Sequence, residues 1–210
     1  MILLAIDSLD PPHSSLTHPL RSHSHTPMRV LLVRPPVPPH TVGLKHIMIC
    51  EPLELEYVAA GIGPEHDVEI LDLILEKGWD GRGLERRLKK FRPDVIGTSS
   101  YINGVNEVKK ICRAAKRWNR ACTTIVGGVH AAREPEDFSD PAVDVIVTGD
   151  GTTVIQSVLD AIEAGAPVDD IPGLAVPTGP REVWKTPATK HYMPPPDSLP
   201  FPRRDLVAHL

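Results

Sequence analysis

The sequence predicts an α/β domain built on a doubly wound, five-stranded parallel sheet. Two observations predict it. Between residues 29 and 176, short and nearly continuous apolar runs alternate with amphipathic stretches of helical period. Strands that are apolar on both faces belong to parallel sheets covered by helices on both sides. Proline avoids the same region. Of 23 prolines, eight fall in residues 1–40 and eight in 177–202, which leaves seven in the 136 residues between. The core domain is therefore expected over residues 28–176. Residues 1–27 read as a disordered N-terminal extension and residues 177–210 as a Pro-rich linker.

Each element has its own signal. Arg29–Arg34 is a first strand, stopped by Pro35-Pro36. Residues 51–62 read as a helix, with Pro52 tolerated in its first turn, and residues 67–73 as a second strand. Leu84–Phe91 is a helix with Leu84, Leu88 and Phe91 on one face and basic residues on the other. Residues 94–99 form a third strand. Val105, Val108, Ile111, Ala115 and Trp118 make the apolar stripe of a helix over 105–118. Residues 123–126 and 143–148 are the fourth and fifth strands, and a helix over 152–164 follows. Residues 171–176 add a short edge strand. Five strands in about 140 residues suit a flavodoxin-like domain.

Composition excludes several classes of function. The chain has 210 residues, 41% hydrophobic and 24% charged, with a net charge of −4. That charge supplies no field for nucleic acid or anionic membrane, and 4% aromatic content is poor for base stacking. No apolar run has the length of a membrane span, and the apolar start lacks the basic flank of a secretory signal. Cys50, Cys112 and Cys122 are widely spaced and form no Cys-x-x-Cys pair. Three ordinary thiols in a reducing cytoplasm are expected.

In an open parallel sheet, ligands bind at the C-terminal strand ends, so the loops there carry the functional candidates. The loop after the first strand is proline-stiffened and holds His40 and His46. His40 is a candidate metal ligand; a solvated loop histidine is the ordinary alternative. The third strand ends in Ser99, Ser100 and Tyr101, whose hydroxyls suit a polar ligand, with Asn103 placed to cap the next helix. The fourth strand runs into Gly127, Gly128, Val129 and His130. Such a glycine pair admits a close backbone or a ligand, and His130 reads equally as a satisfied structural histidine. The fifth strand is followed by Gly149, Asp150, Gly151 and Thr152, which open a helix whose free N–H groups suit a polar group. A lone Gly-x-Gly here lacks dinucleotide spacing. Neither a Walker-type lysine nor a Gly-x-Ser-x-Gly elbow is present. Glu54/Glu56 and Asp169/Asp170 read as ordinary solvated acids. His13, His18, His23 and His25 sit in a Ser/Pro-rich setting unsuited to a specific metal site.

Taken together, these loops resemble one family. Ser99-Ser100-Tyr101 at the third strand end, Gly127-Gly128-Val-His-Ala at the fourth, and Gly149-Asp-Gly after the fifth are similar to the Rossmann-type cobalamin-binding domain. The branch they resemble lies at the N-terminus of cobalamin-dependent radical SAM enzymes, methyltransferases or cyclases of the bacteriochlorophyll and hopanoid type. The segment Asp197–Leu206 resembles the linker that leads into the radical SAM barrel in that branch. The Asp-x-His-x-x-Gly loop of related cobalamin folds survives in part: His40 and Gly43 keep the spacing, and Pro38 stands where the aspartate would be.

The resemblance implies cobalamin as cofactor, with His40 as a lower cobalt ligand. Ser99, Ser100, Tyr101, Gly127, Gly128, Val129, His130, Gly149, Asp150, Gly151 and Thr152 would line the tail and corrin site. Ser99 or Ser100 would donate to a benzimidazole nitrogen or a phosphate. Gly128→Val would then abolish tail binding with the domain still folded. No Cys-x-x-x-Cys-x-x-Cys occurs among the 210 residues. An iron–sulfur cluster and S-adenosylmethionine would therefore belong to a radical SAM domain acting in cis or in trans. The alternatives are a flavodoxin-like regulatory or protein-interaction module without corrinoid, and a small enzyme using the edge with His40 and His130.

Overall fold

The computed structural model describes residues 26–38, 50–75, 82–168, 170–185 and 194–207. Expectations for the N-terminal extension before Thr26, for His40 and His46, and for the 186–193 part of the linker lie outside the described residues.

The strands are β1 (Arg29–Arg34), β2 (Asp67–Asp72), β3 (Val95–Ser99), β4 (Thr123–Gly127), β5 (Val145–Val147), β6 (Leu174–Gly179) and β7 (Glu182–Lys185). The helices are α1 (Leu53–Ala60), α2 (Arg82–Phe91), α3 (Val105–Trp118), α4 (Val129–Arg133) and α5 (Gly151–Ala164). One sheet runs in the order β2-β1-β3-β4-β5-β6-β7. The first five strands are parallel, which is the expected doubly wound core.

The five-strand expectation is corrected to seven, and the sheet is mixed. β6 pairs antiparallel with β5, and β7 antiparallel with β6. Pro177 and Pro180 made this stretch read as linker. In the fold, Pro177 lies where the β6–β7 register shifts between Pro177 and Gly179. A missing N–H is tolerated at such an irregularity. Arg181 takes a φ of 58° in the turn between the two strands. The sheet thus continues to Lys185, past the expected boundary at Val176.

The alternation of β1 divides the core. Val30 and Leu32 face α1 and α5 with Val95, Ile125, Val145 and Val147, whereas Leu31 and Val33 face α2 and α3 with Ile96. Side chains two apart share a face, so one apolar run serves both layers. Leu55 and Ala59 of α1 meet Ile155, Val158 and Leu159 of α5 in the first layer. Leu84, Leu88 and Phe91 of α2 meet Ile111 and Ala115 of α3 in the second. Two local expectations shift. Gly104 rather than Asn103 is the N-cap of α3, because Ile102–Gly104 forms a 3-10 turn ahead of it. The short helix α4 follows Gly128 directly, too brief to show a helical period.

The segment 201–207 packs back onto the domain. Arg203 N–H donates to the Glu56 carbonyl at 3.1 Å, Leu206 and Val207 pack against the first layer, and Arg204 Nε donates to Glu51 Oε1 at 3.0 Å. Glu56 is a correction: it is not a solvated acid but is 0% exposed. Neither carboxylate oxygen has a hydrogen-bond partner, and Arg204 Nε stands 3.9 Å from Oε2. Burial pushes the Glu56 carboxyl above the usual range, Glu51 adds to the rise, and Arg204 opposes it.

This has a pH signature. The folded chain holds the Glu56 proton to higher pH than the unfolded chain does, so stability from this group is full below the ordinary glutamate range and falls as pH rises through it. Glu56→Gln removes that loss. Thermal melts should show Tm raised by about 2–4 °C at pH 8, the shift expected for about 1 kcal/mol in a chain of this size, and no gain near pH 4. Equal shifts at both pH values would contradict burial of an ionisable group here.

Candidate functional site

The strand order reverses between β1 and β3, which opens a crevice at the C-terminal edge of the sheet. Ser99 and Gly127 pair in register at that edge. Both lie an even number of residues from Val95 and Ile125, so they belong to the α1/α5 face. A Cβ built on Gly127 would meet nothing closer than Val147 Cβ at 3.6 Å. Ser99 Oγ stands 3.2 Å from Glu54 Oε1 on the first turn of α1. The crevice is thus bedded by two residues with little or no side chain and walled by α1.

The second glycine has a different job. Gly128 adopts φ of 99°, and a Cβ there would lie 2.7 Å from Ser100 N and 2.9 Å from Ser100 O. Ser100 N–H donates to the Gly127 carbonyl at 2.9 Å, and His130 N–H donates to the Ser100 carbonyl at 3.2 Å. What lies against Gly128 is therefore the Ser100 backbone. The expectation that Gly128→Val leaves the domain folded is corrected, since any side chain collides with main chain and demands a left-handed φ.

The Ser100–His130 bond sets the segments after β3 and β4 side by side. Tyr101 is 62% exposed, Ile102 76% and Val129 57%, so an apolar surface crowns the edge. His130 points elsewhere: its Nε2 lies 2.9 Å from Asp137 Oδ2 and its ring meets Phe138 edge-on, with centroids 5.8 Å apart. The structural-histidine reading fits that burial, and the ring is not turned toward the crevice.

Gly149, Asp150, Gly151 and Thr152 organise the helix that borders the crevice. Gly149 packs on Gly173: a Cβ on either would fall 3.4 or 3.2 Å from the other's Cα. Thr148 and Gly149 N–H groups both donate to the Gly173 carbonyl. Asp150 is the N-cap of α5, and its side chain accepts from Thr153 N–H at 3.0 Å. A Cβ on Gly151 would sit 3.0 Å from Val58 Cγ2, and one on Gly61 only 2.2 Å from the Thr152 carbonyl oxygen. The glycines let α1 and α5 touch. An aspartate already serves one of the N–H groups expected to receive a ligand.

The serine hydroxyls are also engaged. A carboxylate only accepts, so Ser99 donates to Glu54, and Ser100 Oγ donates to the Tyr101 carbonyl at 2.8 Å. At the end of β1, Arg34 Nη1 bonds Asp72 Oδ2 at 3.0 Å and also the Cys50 carbonyl. That pair ties residue 50, just before α1, to the sheet edge. Burial pushes the Cys112 and Cys122 thiols up to about 12, so neither is a nucleophile. Among the described residues no cluster of His, Cys, Asp or Glu could hold a metal ion, and no helix is long and apolar enough to cross a membrane.

The structure brings Ser99, Ser100, Tyr101, Gly127, Gly128 and Val129 together at one edge, with Gly149–Thr152 beside them. Glu54 was missed, and so was the Arg34–Asp72 pair. Glu54 opens a helix at the functional edge, a placement that the α/β alternation implies, but its contact with Ser99 spans 45 residues and leaves no local signal.

Comparison with known proteins agrees with this fold. The family model of the B12 binding domain matches residues 30–159. An uncharacterised methyltransferase of Pyrococcus horikoshii is 28% identical over 189 residues, covering 86% of this chain and 39% of the relative. Hopanoid C-3 methylase of Methylococcus capsulatus is 31% identical over 157 residues, covering 72% of this chain and 29% of the relative. The chain therefore spans well under half the length of these relatives. Among solved structures, the radical S-adenosylmethionine methyltransferase TsrM from Kitasatospora setae, with cobalamin and a [4Fe-4S] cluster bound, aligns with a TM-score of 0.63 at 20% identity. That alignment covers 79% of this chain and 30% of the other. With the family model matching more than half of the chain over the strands and loops described above, the protein belongs to the B12-binding domain family.

Proposed function

We propose that this domain carries the cobalamin of a radical SAM methyltransferase-type enzyme. The nucleotide tail would lie in the crevice bedded by Ser99 and Gly127, and the corrin over Tyr101, Ile102 and Val129. The observation that carries the reading is the room at Gly127, where a Cβ would meet only Val147 Cβ, at 3.6 Å, and no backbone closes. A slender tail needs a bed without side chains, and a flat macrocycle needs an apolar platform beside it. The ends of β3 and β4, beside the topological switch point, offer room for both.

The cofactor supplies cobalt as a group-transfer centre, and the chain supplies binding and orientation. Gly128 holds the β3 and β4 ends in register. Asp150 caps α5 and keeps its first turn against α1. The exposed side chains of Tyr101, Ile102 and Val129 would offer an apolar surface against the macrocycle. The cluster and S-adenosylmethionine would come from a radical SAM domain, in cis or in trans. His40 stays a proposed lower cobalt ligand only as the resemblance implies it, with Pro38 in place of the motif's aspartate. The reading without a corrinoid loses ground to the family match over residues 30–159.

Incubation of the chain with hydroxocobalamin, followed by gel filtration, should leave a corrinoid absorbance spectrum on the protein at about one equivalent. A protein that emerges colourless overturns the proposal. Gly127→Leu should weaken binding about tenfold or more, equivalent to about 1.4 kcal/mol, while its urea midpoint stays close to that of the parent. Gly128→Ala should behave oppositely. Chemical denaturation should show about 2 kcal/mol or more of lost stability from the strained φ and the collision with Ser100. Equal stability of the two variants would contradict the division of labour between the glycines.

A further inference from the structure

We infer that the outer face of α2 and α3 is a docking surface for an anionic lipid bilayer, held to the headgroups by exposed lysines and arginines. The inference does not rest on the cobalamin reading, because this face lies across the sheet from α1 and α5.

Charge is segregated along the chain. Residues 82–120 carry twelve lysines and arginines against three acids, whereas the other 171 residues carry eleven against twenty-four. The net charge of −4, which by itself supplies no field for an anionic surface, is the average of two unlike parts. The fold keeps them apart. Leu84, Leu88 and Phe91 of α2 and Ile111 and Ala115 of α3 turn inward onto one face of the sheet, so the charged residues between them turn outward. Arg86, Lys89, Lys90, Arg113, Arg117 and Arg120 are all exposed, and the only exposed acids of the stretch are Glu85 and Asp94. Helices are about 10 Å across, so acids on the outer side of α5, such as Asp160, stand beyond the Debye length of about 8 Å.

Helix dipoles and ion pairs leave the surplus unexplained. Lys89 and Lys90 complement the C-terminal end of α2, and Lys116 and Arg117 that of α3. Arg82, which opens α2, sits where the dipole disfavours a cation. Arg87, Lys110, Arg113 and Lys116 meet Glu69, Glu107, Asp140 and Asp144. No acid among the described residues pairs with Lys89, Lys90, Arg92, Arg117 or Arg120. Where the two helices end, a polar cavity of about 520 Å³ is lined by Lys89, Arg92, Asp94 and Trp118. Asp94 is already held by Arg29, which leaves Lys89 and Arg92 for a headgroup phosphate. The half-buried Trp118 ring suits the headgroup level of a bilayer.

The composition of the face selects a lipid surface over other polyanions. None of the large apolar side chains exposed among the described residues lies on α2 or α3, so the face lacks the aromatic or apolar centre on which a protein interface is built. Two helices lying along a sheet offer no protruding element to enter a nucleic-acid groove. A broad surplus of lysine and arginine is sufficient for an anionic leaflet, whose surface potential acts on each cation near it.

The test is sedimentation of the 210-residue chain with phosphatidylcholine vesicles, with and without about 30% phosphatidylserine, in about 0.1 M salt. The anionic vesicles should bind at least about tenfold more tightly, and about 0.5 M salt should remove the difference. Lys89→Glu combined with Lys90→Glu should lower that affinity at least about tenfold, whereas Lys89→Arg with Lys90→Arg should stay within about twofold of the parent. Both double variants should keep the parent's melting curve. Equal binding to the two vesicles overturns the inference, as does a double glutamate variant that binds as the parent does. Tighter binding, per accessible phosphate, to a DNA duplex of about 20 base pairs at the same salt assigns the face to nucleic acid and overturns it too. Corrinoid absorbance on the same protein reads the cobalamin site separately.

Discussion

The site depends on one close approach, that of the Ser100 backbone to Gly128. The Ser100 N–H reaches the Gly127 carbonyl, the Ser100 carbonyl takes the His130 N–H, and the φ of 99° at Gly128 turns the chain out of the sheet between them. Three consequences follow. The β3 and β4 ends stay in register, so Ser99 and Gly127 stand side by side. α4 starts at once, which buries His130 against Asp137 and Phe138 and leaves Val129 on the surface. The chain after β3 turns over Ile102–Gly104 with Tyr101 and Ile102 exposed. The bare bed and the apolar crown of the crevice are both products of that contact.

A second set of glycines works at the other end of the crevice. Gly61 and Gly151 bring α1 and α5 into near backbone contact, and Gly149 stacks on Gly173 so that the turn after β5 grips the start of β6. The residues named in the sequence as a ligand-binding turn thus act first as packing surfaces and as a helix cap. In the proposed site their contribution would be to hold the wall. The segment around Arg204 adds a further constraint on α1, covering Glu56 and bracing the helix whose first turn carries Glu54.

Much of the parallel core was legible because its signals are local. Apolar runs such as Val30–Val33 and the stripe Val105–Trp118 give period and boundaries without reference to the rest of the chain. The Gly127-Gly128 pair and Ser99-Ser100-Tyr101 were legible as edge residues because strand ends in this topology face the ligand. What escaped was non-local or disguised. Prolines at 177 and 180 hid the β6–β7 hairpin. Glu56 looked solvated in its own stretch, Leu-Glu-Leu-Glu, since the residues that bury it lie near position 204. Which of two adjacent glycines is closed by backbone is likewise decided by Ser100, just past the end of β3, and not by either glycine.

The most direct measurement is a comparison of cobalamin with cobinamide, the corrinoid that lacks the nucleotide tail, by equilibrium titration into the same protein. If the crevice at Ser99 and Gly127 receives the tail, cobalamin should bind at least about tenfold more tightly, a difference of about 1.4 kcal/mol. Equal affinity for the two would contradict the account, because the corrin platform alone would then explain binding and the open bed at Gly127 would have no occupant.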